Sequence, residues 1–256
     1  KEILSRFKFS PETGQIWLDN QRMIMVHTAA MSSLRRELIE TMGRERARGV
    51  LTRMGYASGV RDAQFIRSMY PEESDKDLFE LGPQLHNMEG IVKVTPVSFD
   101  MDVARNTCSG EFIWENSYEA EVHRDSFGVD SEPVCWMQVG YASGYTTALF
   151  GSMVLFRETE CAAKGDSNCR IIGKMESELS FEEKEELKYF KPESLADRLL
   201  ELQEQVDNLR TSLNKDDIID LDIVGASRSI KNVKELVDKV VSSQVTVMLL
   251  GETGVG

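Results

Sequence analysis

Glu111-Phe112-Ile113-Trp114-Glu115-Asn116-Ser117-Tyr118-Glu119-Ala120-Glu121-Val122-His123 alternates with a period of two. Phe112, Trp114, Tyr118, Ala120 and Val122 share one parity, and Glu111, Glu115, Glu119 and Glu121 share the other. Successive side chains of a strand point to opposite faces, so the stretch predicts a half-buried strand with aromatics inward and carboxylates outward. His123 takes the outward parity, and neither it nor His27 has a visible partner.

Working outward, Ile91-Val92-Lys93-Val94 opens a strand region, and Met153 to Glu160 and Cys169 to Gly173 read as further strands. Between them Ser131-Glu132-Pro133 reads as a helix opening, with a capping serine and a proline tolerated in the first turn. Gly140, Ala142, Ser143 and Gly144 in that helix are small, which predicts a closely approaching backbone or an adjacent cavity. Towards the amino end, Gly14 to Leu18 is a short strand. Helical periodicity follows over Val26 to Met42 and Arg44 to Met69, divided at Gly43. Pro71 interrupts it, and a further helix runs from Ser74 to Asn87. The fold class expected is α+β.

A chain of 256 residues with 41% hydrophobic composition can bury a sizeable core. Its formal net charge of −13 argues against this region gripping a nucleic-acid backbone. There is no apolar run long enough to span a bilayer and no apolar leader, so the cytosol is the expected compartment and no membrane partner is expected. Lys1 in first place is compatible with a trimmed amino end.

Beyond Pro192 the pattern changes. Leu195, Leu199, Leu202, Val206, Leu209 and Leu213 form a heptad seam, read as a dimerising helix or, alternatively, as an amphipathic linker packing on its own domain. Asp216 to Asp222 is an acidic connector, and Ile223 to Val241 contains a helix. An apolar strand from Thr246 then enters Gly251-Glu252-Thr253-Gly254-Val255-Gly256. The glycine spacing is that of a G-x-x-x-x-G-K-[ST] phosphate loop without its Lys and Ser/Thr, which supply charge and hold magnesium. The reading is an ATPase cut at its phosphate loop, against the alternative of an ordinary turn.

The four cysteines are Cys108, Cys135, Cys161 and Cys169. In a cytosolic chain, metal binding or burial is expected before disulfides. Glu158, Cys161 and Cys169 lie close in sequence, and Cys135 can join them. Thiolates with one carboxylate suit zinc, and four protein ligands leave no open position, so a structural metal is favoured over a catalytic one. The spacing is not C-x-x-C, and buried unliganded cysteines remain the alternative. Cys108 has no ligand role. His86, at a helix end, and Trp114, on the aromatic face, carry ring N–H groups of the kind an apolar pocket uses to hold one hydroxyl of an aromatic ligand. Against this, a lone histidine is commonly an ordinary core or surface residue.

Gly82-Pro83-Gln84-Leu85-His86, Trp114-Glu115-Asn116-Ser117-Tyr118-Glu119, Pro133-Val134-Cys135-Trp136, Gly140-Tyr141-Ala142-Ser143-Gly144-Tyr145 and Cys169-Arg170-Ile171-Ile172-Gly173-Lys174 closely resemble the aromatic-sensing bacterial enhancer-binding transcription activators of the NtrC type. The resemblance implies an aromatic-effector sensor over residues 1–190, with a vinyl-reductase-like small-molecule-binding lobe at about 90–175. It implies a coiled-coil linker over 191–222 and the start of an AAA+ ATPase over 223–256. It maps a zinc site of three cysteines and a glutamate onto Cys135, Glu158, Cys161 and Cys169. Some relatives carry an extra cysteine where this chain has Lys164, which four ligands do not need.

Histidine at position 86 is similar to the phenol-responsive branch. By that analogy His86 and Trp114 hold the phenolic hydroxyl, with Phe79, Phe112, Tyr145 and Phe156 as apolar wall. The fragment itself is expected to be no enzyme and to have no catalytic residues. The full-length protein is expected to use ATP and magnesium, to form homodimers through sensor and linker, and to act with DNA and sigma-54 RNA polymerase in the bacterial cytoplasm. A vinyl-reductase-like enzyme domain and a zinc-stabilised dimerisation module without ligand are the alternatives.

Overall fold

The computed structural model describes residues 3–102, 105, 107–192, 202–206, 208–209, 227–240, 246 and 248. Residues 1–192 and 193–256 form two separate compact units. The first begins with an antiparallel sheet of three short strands, β1 (Phe7–Ser10), β2 (Gln15–Leu18) and β3 (Gln21–Met23). Only β2 was expected; three or four residues are too few for β1 and β3 to show a period.

Helices α1 (Thr28–Met42) and α2 (Arg44–Met69) meet at Gly43, whose φ of 82° lies in a region costly for any residue with a β-carbon. Helix α3 (Asp75–Glu89) is capped by Ser74, whose side chain accepts from the Asp77 amide. A four-stranded antiparallel sheet follows: β4 (Lys93–Asp102), β5 (Thr107–Glu115), β6 (Val154–Glu160) and β7 (Cys169–Met175), in the order β4-β5-β7-β6. Between β5 and β6 come α4 (Tyr118–Phe127) and α5 (Trp136–Phe150).

The predicted strand therefore stops early. Up to Glu115 the alternation holds, with Cys108, Gly110, Phe112 and Trp114 buried in turn. Asn116 then adopts a φ of 58°, and Ser117 accepts from the Ala120 amide as the cap of α4. Helical geometry brings Glu119 and His123, both assigned outward by strand parity, into the interior at 1% exposure each.

The helix expected from Ser131 instead starts at Trp136, with Cys135 as its cap residue. Residues 131–134 are irregular, and the Pro133 and Val134 carbonyls accept from Trp136 Nε1 and Arg35 Nη2.

The small residues of α5 do face a backbone. A β-carbon on Gly140 would lie 2.0 Å from the Thr52 carbonyl oxygen, and one on Gly55 would lie 1.9 Å from that of Met137. With Gly59 and Gly144 these glycines let α2 and α5 touch main chain to main chain. Their other faces bury aromatic and aliphatic side chains against the four-stranded sheet, which forms the core.

After a short helix α6 (Phe181–Lys184), closed by a Ser180/Glu183 capping box, the first unit ends in a 3-10 turn over Glu185–Phe190. In the second unit, Leu202, Val206 and Leu209 lie on helical residues with 40%, 45% and 63% exposure. Helix α7 (Arg228–Val240) occupies the expected place. Leu195, Leu199, Leu213, the Asp216 to Asp222 connector and the Gly251 to Gly256 loop lie outside the described residues. Among the described residues no helix is long and apolar enough to cross a membrane.

Candidate functional site

A cavity with about 380 Å³ of space unfilled by atoms lies between α3, α5 and the four-stranded sheet. Phe79, His86, Phe112, Trp114, Tyr145 and Phe156 all line it. Phe112 and Trp114 arrive from the buried face of β5, and Phe79 and His86 from α3. Phe79 is steadied from behind by Phe99, stacked at 3.8 Å with an 8° interplanar angle. The Tyr145 hydroxyl donates to the Leu78 carbonyl at 2.7 Å, so this tyrosine offers the cavity its ring.

Val94, Tyr141, Ala142, Thr146 and Ile171 also line the space and were not expected there. The glycines carried a readable signal of the rings. A β-carbon on Gly82 would lie 2.7 Å from the Tyr145 ring, and one on Gly173 would lie 2.5 Å from that of Phe156.

Two polar groups interrupt this apolar surface. His86 is 5% exposed, and burial pushes its pKa down to about 3, so the imidazole is neutral. A neutral imidazole offers one donor and one acceptor nitrogen, and Trp114 adds an indole N–H. Among the described residues no protein hydrogen bond reaches either ring, although Tyr141 lies against His86 at a centroid distance of 3.7 Å.

Cys135, Glu158, Cys161 and Cys169 converge nearby, their ligand atoms within 4.8 Å of one another and all four residues buried. The sulfurs of Cys135 and Cys169 are 3.7 Å apart, and those of Cys169 and Cys161 are 3.9 Å apart. Tetrahedral coordination at a zinc–sulfur bond of about 2.3 Å requires sulfurs roughly 3.8 Å apart. Glu158 Oε2 accepts from the Cys135 amide at 2.9 Å, while the buried Oε1 has no partner. Burial, then the nearby Cys161, raises the Glu158 pKa. An unpartnered carboxylate oxygen beside three thiols fits a divalent cation, which would favour the deprotonated ligands that burial disfavours. Cys108 is buried elsewhere, its thiol pushed up to about 12.

Behind this cluster runs a charged network that the sequence reading did not find. Arg35 of α1 donates to Glu119 Oε1 at 2.8 Å, to His123 Nδ1 at 3.1 Å and to the Val134 carbonyl at 2.6 Å, and lies over the Trp136 ring. Since His123 Nδ1 accepts, its Nε2–H donates to Asp130 at 2.8 Å. Asp130 also pairs with Arg44. The network thus joins α1 and α2 to the segment that carries Cys135.

A family model described as an activator of aromatic catabolism matches residues 2–102, and a model of the vinyl-reductase type of domain matches residues 114–175. The solved phenol-responsive sensory domain of the transcription activator PoxR, crystallised with phenol, is 48% identical, with a TM-score of 0.72 over 75% of this chain and 95% of that one. The chain belongs to the family of aromatic-catabolism transcription activators. Its whole length also aligns with the phenol regulator MopR of Acinetobacter guillouiae at 36% identity and with the transcriptional regulatory protein XylR of Pseudomonas putida at 39%. It spans 46% and 45% of those two proteins, so it corresponds to a regulatory part of an aromatic-catabolism activator.

Proposed function

We propose that this part of an aromatic-catabolism activator binds phenol and related hydroxylated aromatics, and that binding relieves repression of an attached ATPase. The observation that carries the reading is the pair His86 and Trp114: two hydrogen-bonding rings without protein partners in an otherwise apolar cavity. The phenolic hydroxyl donates to the bare nitrogen of neutral His86 and accepts from the Trp114 N–H, while Phe79, Phe112, Tyr145 and Phe156 enclose the ring. Benzene leaves both polar groups unsatisfied, which gives the hydroxyl its selectivity. That the solved relative was crystallised with phenol supports this reading.

In this proposal Cys135, Glu158, Cys161 and Cys169 hold a structural zinc. When bound, it ties the start of α5 to the strands that carry Phe156 and Ile171. Residues 1–190 act as sensor, 191–222 as a coiled-coil linker and 223–256 as the start of an AAA+ domain whose phosphate loop opens at Gly251. Exposed Leu202, Val206 and Leu209 fit a helix completed by a second copy, which makes the working form a homodimer. The complete protein is cytoplasmic and uses ATP and magnesium to activate sigma-54 RNA polymerase at DNA sites. Effector binding shifts this system only through differential affinity for its two states. The test is ATP hydrolysis by the full-length protein: phenol should stimulate it, and equal rates with and without phenol would refute the switch.

A further inference from the structure

The effector cavity is nearly sealed, with His86 and Trp114 only 5% and 2% exposed, so a ring-sized ligand enters by displacing a side chain. Two of its walls are one ring thick. His86 and Tyr141 also line a larger cavity beneath the three-stranded sheet, and Trp114 also lines a third, beside α4.

The chemistry of the two outer spaces differs. The one behind Trp114 is edged by Asn116, Glu121, Arg124, Asp125 and Asn168, a poor surface for an aromatic ring to cross. Trp114 itself stands in mid-sheet, paired with Val94 on β4 and with Cys169 on β7. The larger space carries Met23, Met25, Met54, Met88 and Met137, flexible thioethers that pack favourably on aromatic faces.

Tyr141 is also built to move as a side chain alone. Its main chain cannot shift from α2, because a β-carbon on Gly59 would lie 2.2 Å from the Tyr141 carbonyl oxygen. Its hydroxyl is tethered to Asp62 Oδ2 at 3.0 Å, from the next turn of that same helix. One hydrogen bond therefore holds the ring against His86.

We propose that Tyr141, tethered by Asp62, is the gate through which the aromatic effector passes from the methionine-lined cavity to His86. Asp62 touches no part of the effector cavity and acts through Tyr141 as a positioning residue. The inference rests on the reading of that cavity as the phenol site.

Stopped-flow tryptophan fluorescence of the folded chain with phenol tests it. Asp62→Ala should raise both association and dissociation rates about tenfold with the dissociation constant changed less than threefold. Asp62→Asn, which keeps an acceptor, should restore slow rates. Met54→Trp, an exposed plug in the larger cavity, should slow both rates, whereas Glu121→Trp on the α4 side should change neither. Normal affinity with unaltered rates in Asp62→Ala, or slowing by Glu121→Trp and not by Met54→Trp, would overturn the gate. No phenol binding by the unaltered chain would instead overturn the underlying reading of the cavity.

Discussion

Gly144 of α5 and the carbonyl of Tyr56 on α2 approach so closely that a β-carbon on the glycine would lie 2.2 Å from that oxygen. The obstacle is main chain, which no rotamer change can clear. Tyr145, the next residue, is a wall of the effector cavity. Gly144→Ala is expected to destabilise the first unit by about 3 kcal/mol or to prevent folding, since overpacking against a rigid neighbour is poorly relieved. Gly151→Ala, at a φ of 84° with open space around it, should cost only about 1–2 kcal/mol. Denaturant unfolding of the two variants makes the comparison.

Arg35 and Glu119 are 3% and 1% exposed, and burial raises the Glu119 pKa despite the guanidinium beside it. Arg35→Met should therefore cost about 3–5 kcal/mol by leaving a buried carboxylate unpaired. Adding Glu119→Gln should recover part of that loss. A double-mutant cycle by chemical denaturation measures the coupling.

This network also marks the limit of what the sequence displayed. Phe112 and Trp114 were legible because a strand writes its burial as a period of two. The close approach of α5 was legible because four small residues in one helix leave little else to explain them. Arg35 and Glu119, 84 positions apart, leave no local trace of their pairing. The turn at Asn116 was hidden because Tyr118, Ala120 and Val122 happened to continue the strand's parity into a helix. Tyr141 was overlooked in the cavity because its hydroxyl bond to Asp62 on α2 is non-local.

Burial of His86 makes stability depend on pH. Its pKa in the fold, about 3, lies below the ordinary 6.5, so the unfolded chain gains a proton first on acidification. The contribution is complete above pH 6.5 and declines as the pH falls towards 3. From pH 6.5 to roughly pH 5 the loss is about 2 kcal/mol. Glu89, raised to about 8, and Asp62, raised to about 6, act in the opposite sense, losing their contribution as the pH rises through those values. The difference between the unaltered chain and His86→Phe isolates the histidine: melting curves of the variant should lack its share of the acid loss.

The four converging ligands predict about one zinc per chain by elemental analysis. Cys161→Ser should lose the metal and much of its solubility, because the remaining thiols and the partnerless Glu158 oxygen stay buried without a cation. A fully folded, metal-free chain would contradict the assignment.

Calorimetric titration of this chain with phenol, beside His86→Ala, tests the central claim most directly. The unaltered chain should release binding heat with one site per chain, and His86→Ala should lose at least about tenfold in affinity, the worth of one buried hydrogen bond. No binding heat at millimolar phenol, or equal affinity in the variant, would contradict it.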